Sequence, residues 1–154
     1  MLQFPESKKL KTDENSKIFV YFNGHGGENF FKIQDTEVLQ SEDLAKVYDE
    51  MHVKRRYKEV FMIIDTCEAM SLFDSVTAPN LILLGTSIHE QSAYSHQFRH
   101  DLNNFLNDYF TYYFYKYLDE GQIGKDFKIS DFKSTFPKSL ITSQIDIKST
   151  LVGR

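Results

Sequence analysis

"KIFVYFNGHGG", residues 17–27, decides how this chain is read. Ile18, Phe19, Val20, Tyr21 and Phe22 are five apolar or aromatic residues in succession, with no polar alternation. That pattern predicts a strand over 17–22 buried on both faces, as in the interior of a parallel sheet. The chain then passes at once into a histidine set among Gly24, Gly26 and Gly27. Glycine lets backbone N–H groups approach a ligand closely. In an open parallel sheet, ligands bind outside the carboxyl ends of the strands. His25 therefore stands where such a fold does its chemistry.

Downstream, "ENFFKIQDTEVLQ" (28–40) predicts a small hairpin with its turn near Gln34-Asp35. A helix is expected to begin after Ser41, with Ser41 as cap and Glu42 and Asp43 in the positive first turn. Leu44, Val47, Tyr48 and Met51 fall on one helical stripe, and Lys54, Arg55 and Arg56 suit the negative end. A second apolar strand runs from Val60 to Ile64 and leads into D-T-C-E-A. A third, Leu81 to Leu84, leads into G-T-S. Strand, helix, strand, connector, strand implies parallel pairing with right-handed crossovers. Residues 101–119 predict one long helix whose stripe is Leu102, Phe105, Leu106, Tyr109, Phe110, Tyr113, Phe114, Tyr117 and Leu118. Tyr112 and Tyr115 lie off that stripe. A short helix near 130–135 should end before Pro137, and a last strand near 139–145 should close the chain.

Three elements thus follow three strands: His25, Cys67, and the pair Thr86-Ser87. If the strands are neighbours, all three face one crevice. Cys67 is the only cysteine, so an internal disulfide is excluded. A free thiol has a pKa of about 8.5, and a nearby imidazolium or helix start favours the reactive thiolate. His25 and Cys67 are 67 − 25 = 42 residues apart, enough for one helical crossover. The N–H groups of Gly26 and Cys67 are candidates for stabilising an oxyanion. A lone cysteine after a strand is otherwise a small buried hydrophobe. G-H-G-G lacks the lysine and the glycine spacing of phosphate cradles. Asp65 either orients the loop or satisfies nearby backbone N–H groups. His52, His89, His96 and His100 read as surface residues. His96 and His100 lie four apart without a second ligand pair, so neither a metal site nor a cofactor is expected.

The 154 residues suit one domain, with 41% hydrophobic and 26% charged residues. A net charge of −4 gives no general attraction to nucleic acid, and the small Lys8, Lys9, Lys11 cluster reads as solvated. Residues 1–16 read as a polar N-terminal arm and 17–154 as the domain. No apolar run reaches the ~18 residues of a membrane span.

"YFNGHGGENFFKIQD" (21–35), "KRRYKEVFMIIDTCEA" (54–69) and "SHQ" (95–97) resemble the catalytic subunits of GPI-anchor transamidases, within the legumain-like cysteine peptidases. The resemblance implies an α/β, caspase-like three-layer sandwich with a mainly parallel sheet, here lacking the family's N-terminal strands. It implies His25 as catalytic histidine, Cys67 as nucleophile, Gly26 at the oxyanion, and Thr86 and Ser87 bordering the substrate pocket. It further implies a membrane complex in the endoplasmic reticulum lumen, with other transamidase subunits, a proprotein C-terminal signal and a GPI glycolipid as partners. A legumain-type endopeptidase and an inactive scaffold of the same fold are the alternatives. Glu68 stands where the family carries glutamine in D-T-C-Q-A, and a carboxylate there is expected to bear on the thiol or on a basic substrate group. A sheet without the family's early strands is expected to expose an apolar edge.

Overall fold

The computed structural model describes residues 10–34 and 36–152. Most of the expected arm, Lys8 and Lys9, and Asp35 of the first turn lie outside the described residues.

Nine strands and four α-helices follow one another in the described chain. They are β1 (Lys17–Asn23), β2 (Gly26–Gly27), β3 (Phe30–Ile33), β4 (Glu37–Gln40), α1 (Ser41–Val53), β5 (Glu59–Asp65), β6 (Leu81–Gly85), β7 (Ser95–Arg99), β8 (Asn104–Asp108), α2 (Tyr109–Asp119), α3 (Phe132–Thr135), α4 (Lys138–Ile141) and β9 (Asp146–Ser149). Short 3₁₀ turns occupy Ala69–Phe73 and Ile129–Asp131. The central sheet runs β1-β5-β6-β9. β1 and β6 flank β5 in parallel, with Asn23 opposite Asp65 and Ile64 opposite Gly85, and β9 closes the far edge antiparallel to β6. The fold is α/β with a mainly parallel sheet between two helical layers, as the sequence implied.

Strand parity divides the layers, because successive side chains alternate between faces. Val20, Phe22, Val60, Met62 and Ile64 point toward Leu44 and Tyr48 of α1 and toward Leu72 and Phe73. Tyr21, Phe61 and Ile63 point the other way, into Phe110, Phe132 and Phe136. That second core is rich in aromatic rings: Phe110 and Phe136 meet edge to face at 5.4 Å, and Tyr21 stacks on Phe114 at 6.2 Å.

Several expectations are corrected. β1 is not buried on both faces: it edges the described sheet, and Phe19 is 57% exposed. Ser41 does not cap α1. Gln40 occupies the cap position, and the buried Ser41 hydroxyl instead accepts the Ser75 N–H at 3.1 Å. Val47 is exposed, so the working stripe of α1 is Leu44, Tyr48 and Met51. Residues 101–108 are not helical. Asn103 takes a left-handed conformation (φ 47°), and Asn104–Asp108 returns as β8 against β7, bringing Phe98 opposite Phe105. Leu102, Phe105 and Leu106 matched a helical period by position but have no core to face and are exposed. At the end of the chain, Pro137 leads into α4 where a strand was expected. Thr142, at φ 69°, stops that helix, and the strand forms later, at 146–149. The hairpin of β3 and β4 and the short helix before Pro137 form as expected.

Candidate active site

β1 and β5 end side by side and in the same direction, so the segments after them emerge together. The result is a cleft of about 180 Å³ lined by Asn23, Gly24, His25, Thr66, Cys67, Ala93, Ser95 and Asp108. His25 is exposed and Cys67 half-buried. The Cys67 thiol donates to the Ala93 carbonyl at 3.6 Å. A larger apolar groove of about 430 Å³ lies near Ile82, Ile147 and Leu151. It contains neither His25 nor Cys67.

The two loops are locked to each other. Gly24 N–H donates to the Asp65 carbonyl at 3.1 Å. A side chain at Gly26 would meet the Thr66 hydroxyl oxygen at 2.7 Å and the Phe30 carbonyl at 2.8 Å. The glycine after the histidine is therefore what lets this loop close onto the segment that carries Cys67. The Thr66 hydroxyl itself is buried with no partner among the described residues.

Asp65 lies beneath the cleft. Its odd position turns it toward α2, where the Thr111 hydroxyl donates to Oδ2 at 2.7 Å, while the Thr86 hydroxyl donates to Oδ1 at 2.7 Å. Asn23 Nδ2 reaches the same carboxylate at 3.3 Å and Asp108 Oδ2 at 2.6 Å. Burial pushes the Asp65 carboxyl above the usual carboxylate range, helped by the nearby Asp108, while the three donors pull it down. Tyr21, half-buried and close to Asp65, has its phenol pushed well up by desolvation and by that carboxylate.

The other expected site residues, Gly26, Asp65, Glu68, Thr86 and Ser87, are not among those that line the cleft. Thr86 serves Asp65. Ser87 is fully buried, donating to the Thr66 carbonyl at 2.7 Å and accepting the Ala69 N–H at 3.0 Å. The resemblance has this pair bordering the pocket; in the structure both hydroxyls are engaged inside the protein, Thr86 on Asp65 and Ser87 on the segment that carries Cys67. Glu68, left-handed at φ 51°, accepts the Glu90 N–H at 3.3 Å through its carboxylate. That bond ties it to the loop after β6.

Sequence reasoning missed Asn23, Ala93, Ser95 and Asp108 as cleft walls. Asn23 directly precedes G-H-G-G and was within reach of motif reading. Ser95 opens the S-H-Q stretch that carried the resemblance but was given no role, and Asp108 was out of reach because residues 101–119 were expected to be helical. His96 was expected at the surface; it is half-buried, with its ring 4.2 Å from that of Tyr109 and 4.9 Å from that of Tyr112. Among the described residues no cluster of histidine, cysteine or carboxylates has the makings of a metal site, and no helix is long and apolar enough to cross a membrane.

A model of the Peptidase C13 family matches residues 3–136. The chain is 37% identical over 150 residues to the GPI-anchor transamidase of Saccharomyces cerevisiae, covering 97% of this chain and 36% of that protein. It is 36% identical over 150 residues to the GPI-anchor transamidase of Homo sapiens, covering 97% of this chain and 38% of the other. A putative GPI-anchor transamidase of Drosophila melanogaster is 34% identical over 148 residues, 96% of this chain and 42% of its own length. The chain spans well under half the length of these curated relatives.

Proposed function

The chain belongs to the Peptidase C13 family, and we propose that it carries the cysteine–histidine centre of a GPI-anchor transamidase. The observation that carries this reading is the shared cleft: His25 and Cys67, delivered by adjacent parallel strands, line the same cavity. The relatives named as transamidases support the choice of reaction.

In this mechanism Cys67 thiolate attacks the carbonyl of a small residue that precedes the hydrophobic C-terminal signal of a proprotein. The tetrahedral oxyanion takes hydrogen bonds from backbone N–H groups, those of Cys67 and Gly26 being the candidates. The carbon–nitrogen bond breaks, His25 gives its proton to the leaving amine, and a thioester remains. The ethanolamine amine of the glycolipid then attacks the thioester and loses its proton to His25. Its nitrogen forms the new amide, and the Cys67 thiolate is released. Water must be kept from the thioester, a task assigned to the bound acceptor and to other transamidase subunits. We place the reaction at the endoplasmic reticulum, in a complex of such subunits. Residues 17–154 would form the catalytic part and 1–16 an arm leading into it.

The test is replacement in cells that depend on this protein for anchor attachment. Cys67→Ala and His25→Ala are each expected to abolish surface display of a GPI-anchored reporter and to leave the uncleaved proprotein. Intact display with either variant refutes the assignment. Cleavage of a signal-like peptide by water, without glycolipid or partner, would show a peptidase instead.

A further inference from the structure

We propose that His96 is a positioning residue: its imidazole, packed among tyrosines of α2, fixes the cleft wall formed by Ser95 and Asp108. The inference rests on the transamidase reading for its effect on substrate and on geometry alone for its effect on the wall.

The wall is the base of the β7–β8 hairpin. Ser95 and Asp108 face each other across the ladder, and the Ser95 hydroxyl donates to Asp108 Oδ1 at 3.0 Å. Tyr109 N–H donates to the Tyr94 carbonyl at 3.1 Å, next to Ala93, whose carbonyl takes the Cys67 thiol. The outer hairpin gives this base little support. Phe98, Leu102, Phe105 and Leu106 are exposed, and the ring of Phe98 contacts those of His100 and Phe105 within the hairpin. What joins the hairpin to the body is at its root: Asp108 through Asn23, and His96 through α2.

His96 is well placed for that task. It follows Ser95 directly, and its ring centroid lies 4.2 Å from Tyr109, 4.9 Å from Tyr112 and 6.1 Å from Tyr113. Three aromatic contacts of this kind fix a side chain by packing and ring electrostatics. Emptying the cage leaves β7 free to shift against α2. A shift of about 1 Å at a substrate-contacting wall is enough to cost large factors in rate. His96 touches no reacting atom in this scheme and acts through Ser95 and Asp108.

The experiment uses the full 154-residue chain and two alkylating probes for Cys67. One is a short peptidyl chloromethyl ketone, which needs the cleft wall, and the other is iodoacetamide, which does not. His96→Ala is expected to lower the ratio of their rates about tenfold, with the iodoacetamide rate unchanged, and His96→Phe to keep it within about twofold. Hydrogen exchange at the Tyr109 amide supplies a readout independent of chemistry, expected to quicken about tenfold in His96→Ala and not in His96→Phe. If His96→Ala lacks a cooperative melt, Tyr112→Ala opens the same cage from the helix side with the same expectations. Unchanged exchange at Tyr109 in the cage-emptying variant overturns the proposal, as does equal loss in His96→Phe. A wild-type chain that shows no preference for the peptidyl probe counts against the cysteine reading alone. The exchange result then still decides on His96.

Discussion

Replacing Thr111 by valine tests whether the buried Asp65 carboxylate is held ionised by its donors. Valine keeps the shape of threonine and removes only the hydroxyl. In the structure that hydroxyl donates to Asp65 Oδ2 at 2.7 Å. Its proton is thereby committed, so Tyr21 must donate to it at 2.8 Å, and Asn23 Nδ2 also donates to it at 3.1 Å; the variant leaves the buried Asp65 and the half-buried Tyr21 hydroxyl each a partner short and removes one acceptor of Asn23. A hydrogen bond to a charged group contributes about 1.5–3 kcal/mol, and the orphaned tyrosine hydroxyl adds to the loss, so about 3 kcal/mol is expected at neutral pH. For a chain of this size that corresponds to a fall in Tm of about 10 °C. The pH dependence carries the sharper test. Burial raises the folded pKa of Asp65 above its unfolded value near 3.8, so the folded state holds this proton more tightly than the unfolded one. The resulting stability penalty is absent below the unfolded pKa. It grows as pH rises through the folded pKa and is full above it. Thr111 is one of the donors that limits the rise, so removing it raises the folded pKa further and enlarges the penalty on the alkaline side. Urea titrations of both proteins across the acid-to-neutral range should show a stability gap that widens with pH. A gap that is constant, or that narrows as pH rises, would refute the claim that Thr111 supports an ionised carboxylate.

Gly26→Ala drives a methyl group against the Thr66 hydroxyl and the Phe30 carbonyl. Overpacking of this kind costs about 1–3 kcal/mol, and the urea midpoint should fall accordingly while reporter anchoring drops through displacement of His25. Leu44 and Val47 share a predicted stripe but not a fate, being 5% and 48% exposed. Leu44→Ala should cost about 2–5 kcal/mol. Val47→Lys should stay within about 0.5 kcal/mol in the same urea measurement.

The parallel core was legible because β5 and β6 are apolar runs too short for helices, and the helix between β1 and β5 was marked by acidic residues at its start. His25 and Cys67 could be read for a related reason: chain order alone places both at carboxyl ends of strands, and the pairing of β1 with β5 makes those ends neighbours. The misread segment, 101–108, shows the limit of periodicity. Leu102, Phe105 and Leu106 satisfy a spacing of three and four, yet Phe98 and Phe105 pair across a hairpin in which spacing means something else. A pattern of apolar residues reports a face only if a core exists for that face, and sequence does not show whether it does. Ser41 failed differently. A serine before two acidic residues is a good cap, but a nearby loop offered the Ser75 N–H, and a tertiary partner displaced the local one.

The same competition explains the position of Thr86 and Ser87. Hydroxyls at the end of a strand can serve a substrate or the protein, and here Asp65 and the Thr66 carbonyl lay closer than any cleft. Burying Asp65 raises its pKa and costs stability, yet each donor that offsets the cost comes from a different element: Asn23 from β1, Thr86 just after β6, Thr111 from α2. A hydrophobic residue at position 65 would avoid the cost and leave those three elements free to slide. The carboxylate fixes the end of β1 beside the end of β5, and with it the loop of His25 beside the loop of Cys67. On this view Asp65→Leu would cost the fold less than it costs the cleft. Alkylation of Cys67 by a peptidyl probe would fall more than the urea midpoint does, and a parallel fall in both would mean that the carboxylate serves the fold alone.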